Sequence, residues 1–359
     1  MEELSEFNQL LGADEMGTKL GDIVEAQNVS LSDLAGKEIA VDAFNTLYQF
    51  LSIIRQPDGT PLMDSKGRVT SHLSGLFYRN LNLLEVGIRP VFVFDGESPK
   101  LKSGEIQRRR EIRDTAYEEW QAAKKDGRIE DARKAASASS RLTEGMVDES
   151  KKLLDAMGIP YIQAPSEGEA LAAQMARDRI VWASASQDND SLLYNCPRMI
   201  RNLSISGRRR ASRAKSFITI SPELIDLDLN LKRLGVTREQ LIDIALLIGT
   251  DYNDKIPRVG PKTALKLIKA HGSIEGVIKE GTHKIGFPYE EIREIFLNPP
   301  RVEVKSPSWR EPNSNLITEI LCSEHGFSIG RVQSSLERLF QKLDEFRKAS
   351  KQTSLTDFL

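Results

Sequence analysis

Seven acidic residues follow short apolar segments of this 359-residue chain, where folding could gather them around divalent cations. They are Asp42 in IAVDA, Asp95 in VFVFDG, Glu167 and Glu169 in PSEGEA, Asp188 and Asp190 in SQDND, and Asp251 in IGTDY. One aspartate after a strand is usually a turn former or a helix cap. Seven carboxylates at one edge of a sheet would repel one another strongly unless cations lay among them.

The chemistry of this acidic set indicates the kind of ion. Ligands that offer oxygen alone favour a hard cation, so we expect Mg²⁺, with Mn²⁺ as the alternative. Two such ions about 4 Å apart hold both sides of a phosphodiester during in-line attack. Cys196 and Cys322 lie far apart and the four histidines lack ligand spacing, so no zinc site is expected. The sequence therefore predicts a two-metal site for phosphodiester cleavage.

The acidic residues need a scaffold that brings segment ends together. Apolar, β-prone segments at residues 37–41, 90–94, 159–163 and 180–184 predict buried strands. Helical spacing over 71–86 and 169–177 alternates with them. This alternation predicts an α/β fold with a mostly parallel sheet flanked by helices. In such a sheet, ligands bind beyond the carboxyl ends of the strands, where the acidic residues stand.

Three further segments interrupt or follow this pattern. Charged stretches at 104–125 and 128–157, separated by Asp126-Gly127, predict two helices that project and return. Taken alone, they would be an αα-hairpin without a further role. Residues 237–278 are helical around a Pro- and Gly-containing break at 256–262, which places a helix N-terminus where phosphate could bind. A last helix is expected beyond residue 328, followed by a polar tail.

The distribution of charged residues along the chain favours a nucleic-acid partner, although the net charge does not. The net charge of −2 argues against DNA, since domains that bind it are often basic. Basic residues nevertheless cluster at 100–113, 201–215 and 255–269. A single basic run is usually a solvated face, but three runs beside clustered carboxylates suggest phosphate near metal. In the second run, Arg208, Arg209 and Arg210 predict a β-hairpin that contacts phosphate.

Neither a membrane-spanning run nor a signal peptide is present in the sequence. Its two cysteines fit buried thiols in a reducing compartment. We therefore expect an intracellular, soluble protein that associates with DNA and makes no membrane contact.

Six motifs, in order, resemble those of the flap endonuclease family, in its archaeal form. They are IAVDAFNTLYQFL, VFVFDG followed by LKSGE, APSEGEA, ASQDNDSLLY, IGTDYN and VGPKTA. The resemblance begins at Met16, and residues 1–15 have no counterpart, so we interpret them as an N-terminal extension created by a start assigned too early. It implies a PIN-like 5′-nuclease core at 16–330, with a helical arch at about 97–145 and a helix-two-turn-helix element at about 237–278. A C-terminal helix and linker would occupy 331–351.

The resemblance also implies a role for each site residue. The seven carboxylates would hold two Mg²⁺ ions, which activate water and leave a 5′-phosphate and a 3′-hydroxyl. Lys102 and Arg109, at the base of the arch, would offset charge on the phosphate. Tyr48 would stack on an unpaired base near the cut. Gly260 and Lys262 would grip duplex phosphates, with a K⁺ site in the same turn.

Two further implications of the resemblance concern the turn at residues 256–262 and the C-terminal tail. The family usually has glycine where this chain has Arg258, a position that could require a left-handed backbone conformation. Residues 352–359 match a motif that binds the sliding clamp, of the PCNA type. Its fixed positions are Gln352, Leu355, Phe358 and Leu359. An aliphatic and an aromatic anchor three residues apart suit a helical turn in an apolar groove.

The sequence thus predicts a monomeric, structure-specific 5′-flap endonuclease with 5′-to-3′ exonuclease activity. Its substrate would be branched DNA with a 5′ flap, in replication, including Okazaki fragment maturation, and in repair. One alternative is another 5′ nuclease of the superfamily, either an exonuclease or a bubble-cutting enzyme. The bubble-cutting type is expected to carry a longer insertion than the stretch at 97–141. A different class, a non-catalytic junction-binding scaffold, fits less well because every proposed ligand position is acidic.

Overall fold

The computed structural model of the chain describes residues 18–205, 207–210 and 217–356. The extension at residues 1–15 and the tail residues Phe358 and Leu359 lie outside these ranges. The described strands are β1 (Gln27–Asn28), β2 (Glu38–Asp42), β3 (Arg89–Phe94), β4 (Tyr161–Gln163), β5 (Ala183–Ala185), β6 (Arg198–Arg201), β7 (Gly207–Arg210), β8 (Phe217–Ile220) and β9 (Glu223–Asp226).

Seven of these strands form one sheet in the order β1-β9-β6-β5-β2-β3-β4. Strands β4, β3, β2, β5 and β6 run parallel, and β9 and β1 add an antiparallel edge. The predicted parallel sheet is confirmed, with each predicted strand within a few residues of its place. The antiparallel edge was not predicted, because β1 has two residues and carries no apolar pattern.

The described α-helices include members that pack on each face of the sheet. They are α1 (Ala43–Ile53), α2 (Ser71–Glu85), α3 (Ser103–Lys125), α4 (Ile129–Ala138), α5 (Glu144–Ala156), α6 (Gly168–Arg177), α7 (Asp190–Leu193), α8 (Leu227–Leu234), α9 (Arg238–Ile248), α10 (Pro261–His271), α11 (Ile274–Glu280), α12 (Tyr289–Leu297), α13 (Ser314–Thr318) and α14 (Ile329–Thr356). Within the described ranges, no helix combines the length and apolar content needed to cross a bilayer.

Alternation along the central strands divides the apolar side chains between two cores. Ala40 and Val93 belong to the core that includes residues of α6, α9 and α10. Ile39 and Val41 belong to the core on the other face, with residues of α1, α2, α5 and α14. Burial on both faces explains why β2 is continuously apolar. The sheet is therefore a rigid support for the residues at its edge.

The two helices predicted for the projecting segment are in fact three. Helix α3 agrees with the prediction, and Gly127, with φ +71°, forms the turn to α4. The predicted second helix is wrong in its middle, because residues 139–143 are not helical. Ser140 donates to the carbonyl of Ser137, and Thr143 caps α5 by accepting from the N–H of Met146. Hydroxyl side chains that bond to nearby backbone end one helix and begin the next.

Helices α3 and α4, called here the arch hairpin, have a small core of their own. Trp120, Ala123, Ala132 and Ala136 are buried against one another. The hairpin meets the loop after α1 through polar contacts, which include Lys124 Nζ to Asp58 Oδ2 at 3.1 Å. Further contacts join Ser137 Oγ to the carbonyl of Ser52 at 3.0 Å and Arg55 Nη2 to Ser140 Oγ at 2.8 Å. These contacts hold the hairpin against α1 and the loop that follows it.

Candidate active site

The carboxyl ends of the parallel strands carry the first two acidic residues. Asp42 ends β2 and caps α1 by accepting from the N–H of Asn45 at 3.0 Å. Asp95 follows β3 and accepts from the N–H of Gly168, at the start of α6, at 2.7 Å. Strand β2 lies between β3 and β5, the point at which chain order along the sheet reverses. That is where open α/β sheets bind ligands.

The other five acidic residues come from three connections. Glu167 is the N-cap residue of α6 and Glu169 lies in its first turn. Asp190 begins α7, and Asp188 lies two residues before it. Asp251 lies in the turn that follows α9. The structure thus brings all seven carboxylates, called here the acidic cluster, into one electrostatically connected group.

Burial and mutual repulsion raise the pKa values within the acidic cluster. Burial is the larger cause for Asp188, and repulsion from Asp190 and Asp251 adds to it, so its pKa rises to about 7. Burial and then Asp251 raise the pKa of Asp190 to about 6. The pKa values of Asp42 and Glu169 rise well above their usual range, through burial first and neighbouring carboxylates second. Carboxylates in this state favour a partner of positive charge.

Two cations of the arch hairpin and its base reach into the acidic cluster. Lys102 Nζ lies 2.5 Å from Glu167 Oε2 and 3.1 Å from Asp251 Oδ2. Arg109 Nη2 lies 2.5 Å from Asp251 Oδ1, and its Nε lies 2.7 Å from Glu105 Oε1. Burial would lower the pKa of Lys102, but Asp251 and Glu167 outweigh it and raise that pKa. Both side chains therefore remain charged beside the carboxylates.

The donor set of the acidic cluster fits hard divalent cations. Every donor is a carboxylate oxygen, and two cations stand against seven acids, which leaves an excess of negative charge. Among the residues that the structure describes, no three acidic, histidine or cysteine side chains converge closely enough to enclose an ion. Lys102 and Arg109 instead contact carboxylate oxygens of the acidic cluster, the same oxygens that a metal ion would bind. The acidic cluster therefore fits divalent metal ions by the chemistry of its oxygen ligands and by its charge.

Two small polar residues that sequence reasoning missed hold members of the acidic cluster. Thr18 donates through both its N–H and its hydroxyl to Asp190. Asn45 Nδ2 donates to Asp188 Oδ2 at 3.1 Å, and the backbone N–H of Asn45 donates to Asp42 Oδ1. The position of Asn45, three residues after a capping aspartate, is a signal that could have found it. Thr18 offers no such signal, because its partner lies 172 residues away.

Tyr48 lies on α1 and is half-buried. The guanidinium of Arg113, on α3, stands 4.7 Å from the centre of its ring. One ring face is thus already used for a stacking contact with a planar group. The ring is therefore not fully enclosed by the core, and its stacking on a base stays a prediction.

The turn before α10 carries the residues expected to grip duplex DNA. Gly260 caps α10, Pro261 begins it, and Lys262 is exposed beside it. A Cβ atom added to Gly260 would meet nothing within 4 Å, so the backbone there is open to an approaching group. The non-helical segment runs from Gly249 to Gly260, longer than predicted, because the turn that bears Asp251 lies within it.

Arg258 has the left-handed conformation expected from its position, with φ +65°. This conformation costs an L-residue about 1–2 kcal/mol, whereas glycine adopts it freely. We predict that Arg258→Gly raises the free energy of unfolding by about 1 kcal/mol, net of the entropy that glycine adds to the unfolded chain. Urea unfolding measures this, and Arg258→Ala, which keeps the strain and removes the guanidinium, is the control. An equal gain in both variants would assign the effect to charge instead.

The remaining predicted contacts lie where side chains are not described. Arg208, Arg209 and Arg210 belong to β7, which pairs with β8, so the predicted β-hairpin is confirmed. Gln352 and Leu355 lie in the last turns of α14.

Comparison with known proteins gives two family matches. A model of the XPG N-terminal domain matches residues 16–116, and a model of the XPG I-region matches residues 158–251. The chain is 50% identical over 352 residues to flap endonuclease 1 of Caldivirga maquilingensis, covering 97% of this chain and 99% of that one. It is 53% identical over 325 residues to flap endonuclease 1 of Archaeoglobus fulgidus, covering 90% and 96%.

Solved structures similar to this chain include a flap endonuclease and another DNA nuclease core. Flap endonuclease-1 from Methanococcus jannaschii superposes with a TM-score of 0.71 at 40% identity, over 92% of this chain and 99% of that one. The catalytic core of Rad2 in complex with DNA substrate superposes with a TM-score of 0.67 at 26% identity, over 90% and 99%.

Proposed function

The chain belongs to the flap endonuclease family, and from this premise we propose that its acidic cluster cuts DNA near the base of a 5′ flap with divalent metal ions. It is a structure-specific 5′-flap endonuclease. The observation that supports the metal assignment is the acidic cluster, seven carboxylates at the carboxyl edge of the sheet with two cations among them. Two Mg²⁺ ions, or Mn²⁺, would activate water and neutralise charge on the phosphodiester when bound.

The protein's own residues would divide the remaining work. Asp42, Asp95, Glu167, Glu169, Asp188, Asp190 and Asp251 would hold the ions. Lys102 and Arg109 already contact carboxylate oxygens, and a substrate phosphate offers acceptors of the same kind and charge. Charge-assisted bonds to phosphate from fixed donors stabilise a developing negative charge. We assign both cations to the phosphate at which cleavage occurs.

Binding of branched DNA would involve surfaces around this site. The Rad2 relative is described in complex with a DNA substrate, which supports the same class of ligand here. We assign Tyr48 to an unpaired base, the arch hairpin to the free 5′ strand, and the turn at Gly260 and Lys262 to duplex phosphates and K⁺. Arg208, Arg209 and Arg210 would add phosphate contacts. The protein would act as a monomer, with exonuclease activity as well, in replication and repair.

Cleavage of a 5′-labelled double-flap DNA tests this function. With Mg²⁺ we expect one cut near the flap base, mapped by product length, and with EDTA none. Blunt duplex of the same sequence is the control substrate, on which cleavage should be much slower. Stepwise trimming of the duplex in place of the single cut would instead identify an exonuclease. Tight binding without any product would leave a junction-binding scaffold.

We propose that residues 352–359 bind a sliding clamp. The double variant Leu355→Ala and Phe358→Ala removes both apolar anchors, so clamp-stimulated cleavage should fall to the basal rate while cleavage without clamp stays unchanged. Ser354→Ala, directly before the first anchor, is the matched control and should keep stimulation. Reaction rates on the same flap, with and without clamp, measure the effect. Loss of basal cleavage in the double variant would contradict a separable tail.

A further inference from the structure

Thr18 makes an unusual set of contacts with the loop that carries two members of the acidic cluster. Its N–H lies 3.0 Å and its hydroxyl oxygen 2.5 Å from the same atom, Oδ1 of Asp190. Its carbonyl accepts from Asn189 Nδ2 at 3.2 Å. Thr18 is 2% exposed and Asp190 is 6% exposed, so water does not compete for these bonds.

The two donors on one oxygen restrict the carboxylate of Asp190. A carboxylate held at a single oxygen by two donors from the same residue cannot rotate without breaking both bonds. Among the described residues, no hydrogen bond to Oδ2 of Asp190 accompanies the two at Oδ1. The second oxygen, Oδ2, is therefore not engaged by Thr18, and the carboxylate lies within electrostatic reach of Asp251.

We propose that Thr18 is a positioning residue that orients Asp190 for metal binding, and this inference rests on the function proposed above. Donors that hold a ligating carboxylate fix its direction and contribute about 10- to 100-fold to metal affinity. The hydroxyl is the specific part, because any residue at this position would supply the backbone N–H. Thr18 thus links a segment far away in sequence to the geometry of the metal site.

A matched pair of variants separates the hydroxyl from the shape of the side chain. Thr18→Val keeps the branched shape and the backbone N–H and removes the hydroxyl, while Thr18→Ser keeps the hydroxyl. Ca²⁺ is titrated into the metal-free full-length protein, and the rise in Tm reports its binding. This readout is independent of catalysis. We expect Thr18→Val to need about tenfold more Ca²⁺ for half of the Tm rise. Thr18→Ser should stay within about twofold of the unchanged protein.

The same variants are compared in single-turnover flap cleavage across Mg²⁺ concentrations. Thr18→Val should shift the half-saturating Mg²⁺ concentration upward, with a rate at saturating Mg²⁺ close to that of the unchanged protein. An unchanged Ca²⁺ midpoint in Thr18→Val, with or without a lower Tm before metal is added, would reduce Thr18 to a structural anchor and overturn the inference. Absence of Mg²⁺-dependent cleavage by the unchanged protein would instead overturn the proposed function itself.

Discussion

Asp188→Asn should lower the single-turnover rate of flap cleavage by about a thousandfold or more while flap affinity stays nearly constant. Asp188 is half-buried beside other carboxylates, and its side chain accepts from Asn45 at 3.1 Å, so an amide of the same shape keeps this bond through its own oxygen. The substitution removes one negative charge from the proposed ligand set. Metal binding should weaken, whereas phosphate contacts elsewhere remain.

Rapid-quench cleavage and equilibrium binding in Ca²⁺ measure the two effects separately. Asp254→Asn is the matched control, since Asp254 is exposed and lies three residues from Asp251. Its cleavage rate should equal that of the unchanged protein. Normal turnover by Asp188→Asn at all Mg²⁺ concentrations would remove Asp188 from the metal assignment.

Lys102→Ala and Arg109→Ala should each lower the single-turnover rate by about 100-fold or more, with little change in flap affinity. Both side chains are fixed against carboxylates of the cluster, at 2.5 Å from Glu167 and from Asp251 respectively. Fixed cations of this kind act on charge that develops during the reaction more than on ground-state binding. Removal of Lys102 also takes away the cation that contacts the half-buried carboxylate of Glu167, which costs stability.

Two further measurements distinguish a chemical role from a binding role. Lys125→Ala removes an exposed cation at the far end of α3 and should cleave normally. Ca²⁺ titration of the Lys102 and Arg109 variants shows whether the loss of rate comes from altered metal affinity. A purely DNA-binding role predicts two results for these variants. The cleavage rate at saturating protein would equal that of the unchanged protein, and the rate at low protein concentration would fall by the same factor as flap affinity. That outcome would contradict a chemical role for both residues.

The parts of this site that local sequence pattern could predict are those that belong to the strands. β2 and β3 are buried on both faces, so their apolar runs are continuous and the acidic residue after each is conspicuous. The sequence pattern therefore predicts Asp42 and Asp95 at the sheet edge, and the structure has them there. The left-handed conformation at Arg258 follows instead from the family resemblance, because the family usually has glycine at this position.

The features that sequence pattern missed depend on contacts between distant residues. The bonds from Thr18 to Asp190 join segments 172 residues apart, and no periodicity signals such a pair. The strands β1 and β9 pair with each other across nearly 200 residues and are too short to show alternation. The break at 139–143 was hidden because its serines also occur inside helices, and only their bonds to backbone distinguish the two cases.

The arch hairpin has a small core of its own and meets α1 and the loop after it through polar groups. Its separation from the sheet therefore exposes little of the two main cores, and exposed ion pairs of this kind contribute little and weaken in salt. Amide hydrogens of α3 and α4 should exchange with solvent through local opening, well before those of β2 and β3. The rate of that exchange should increase with ionic strength. The hairpin is thus a unit that can open and close while the sheet beneath it stays folded.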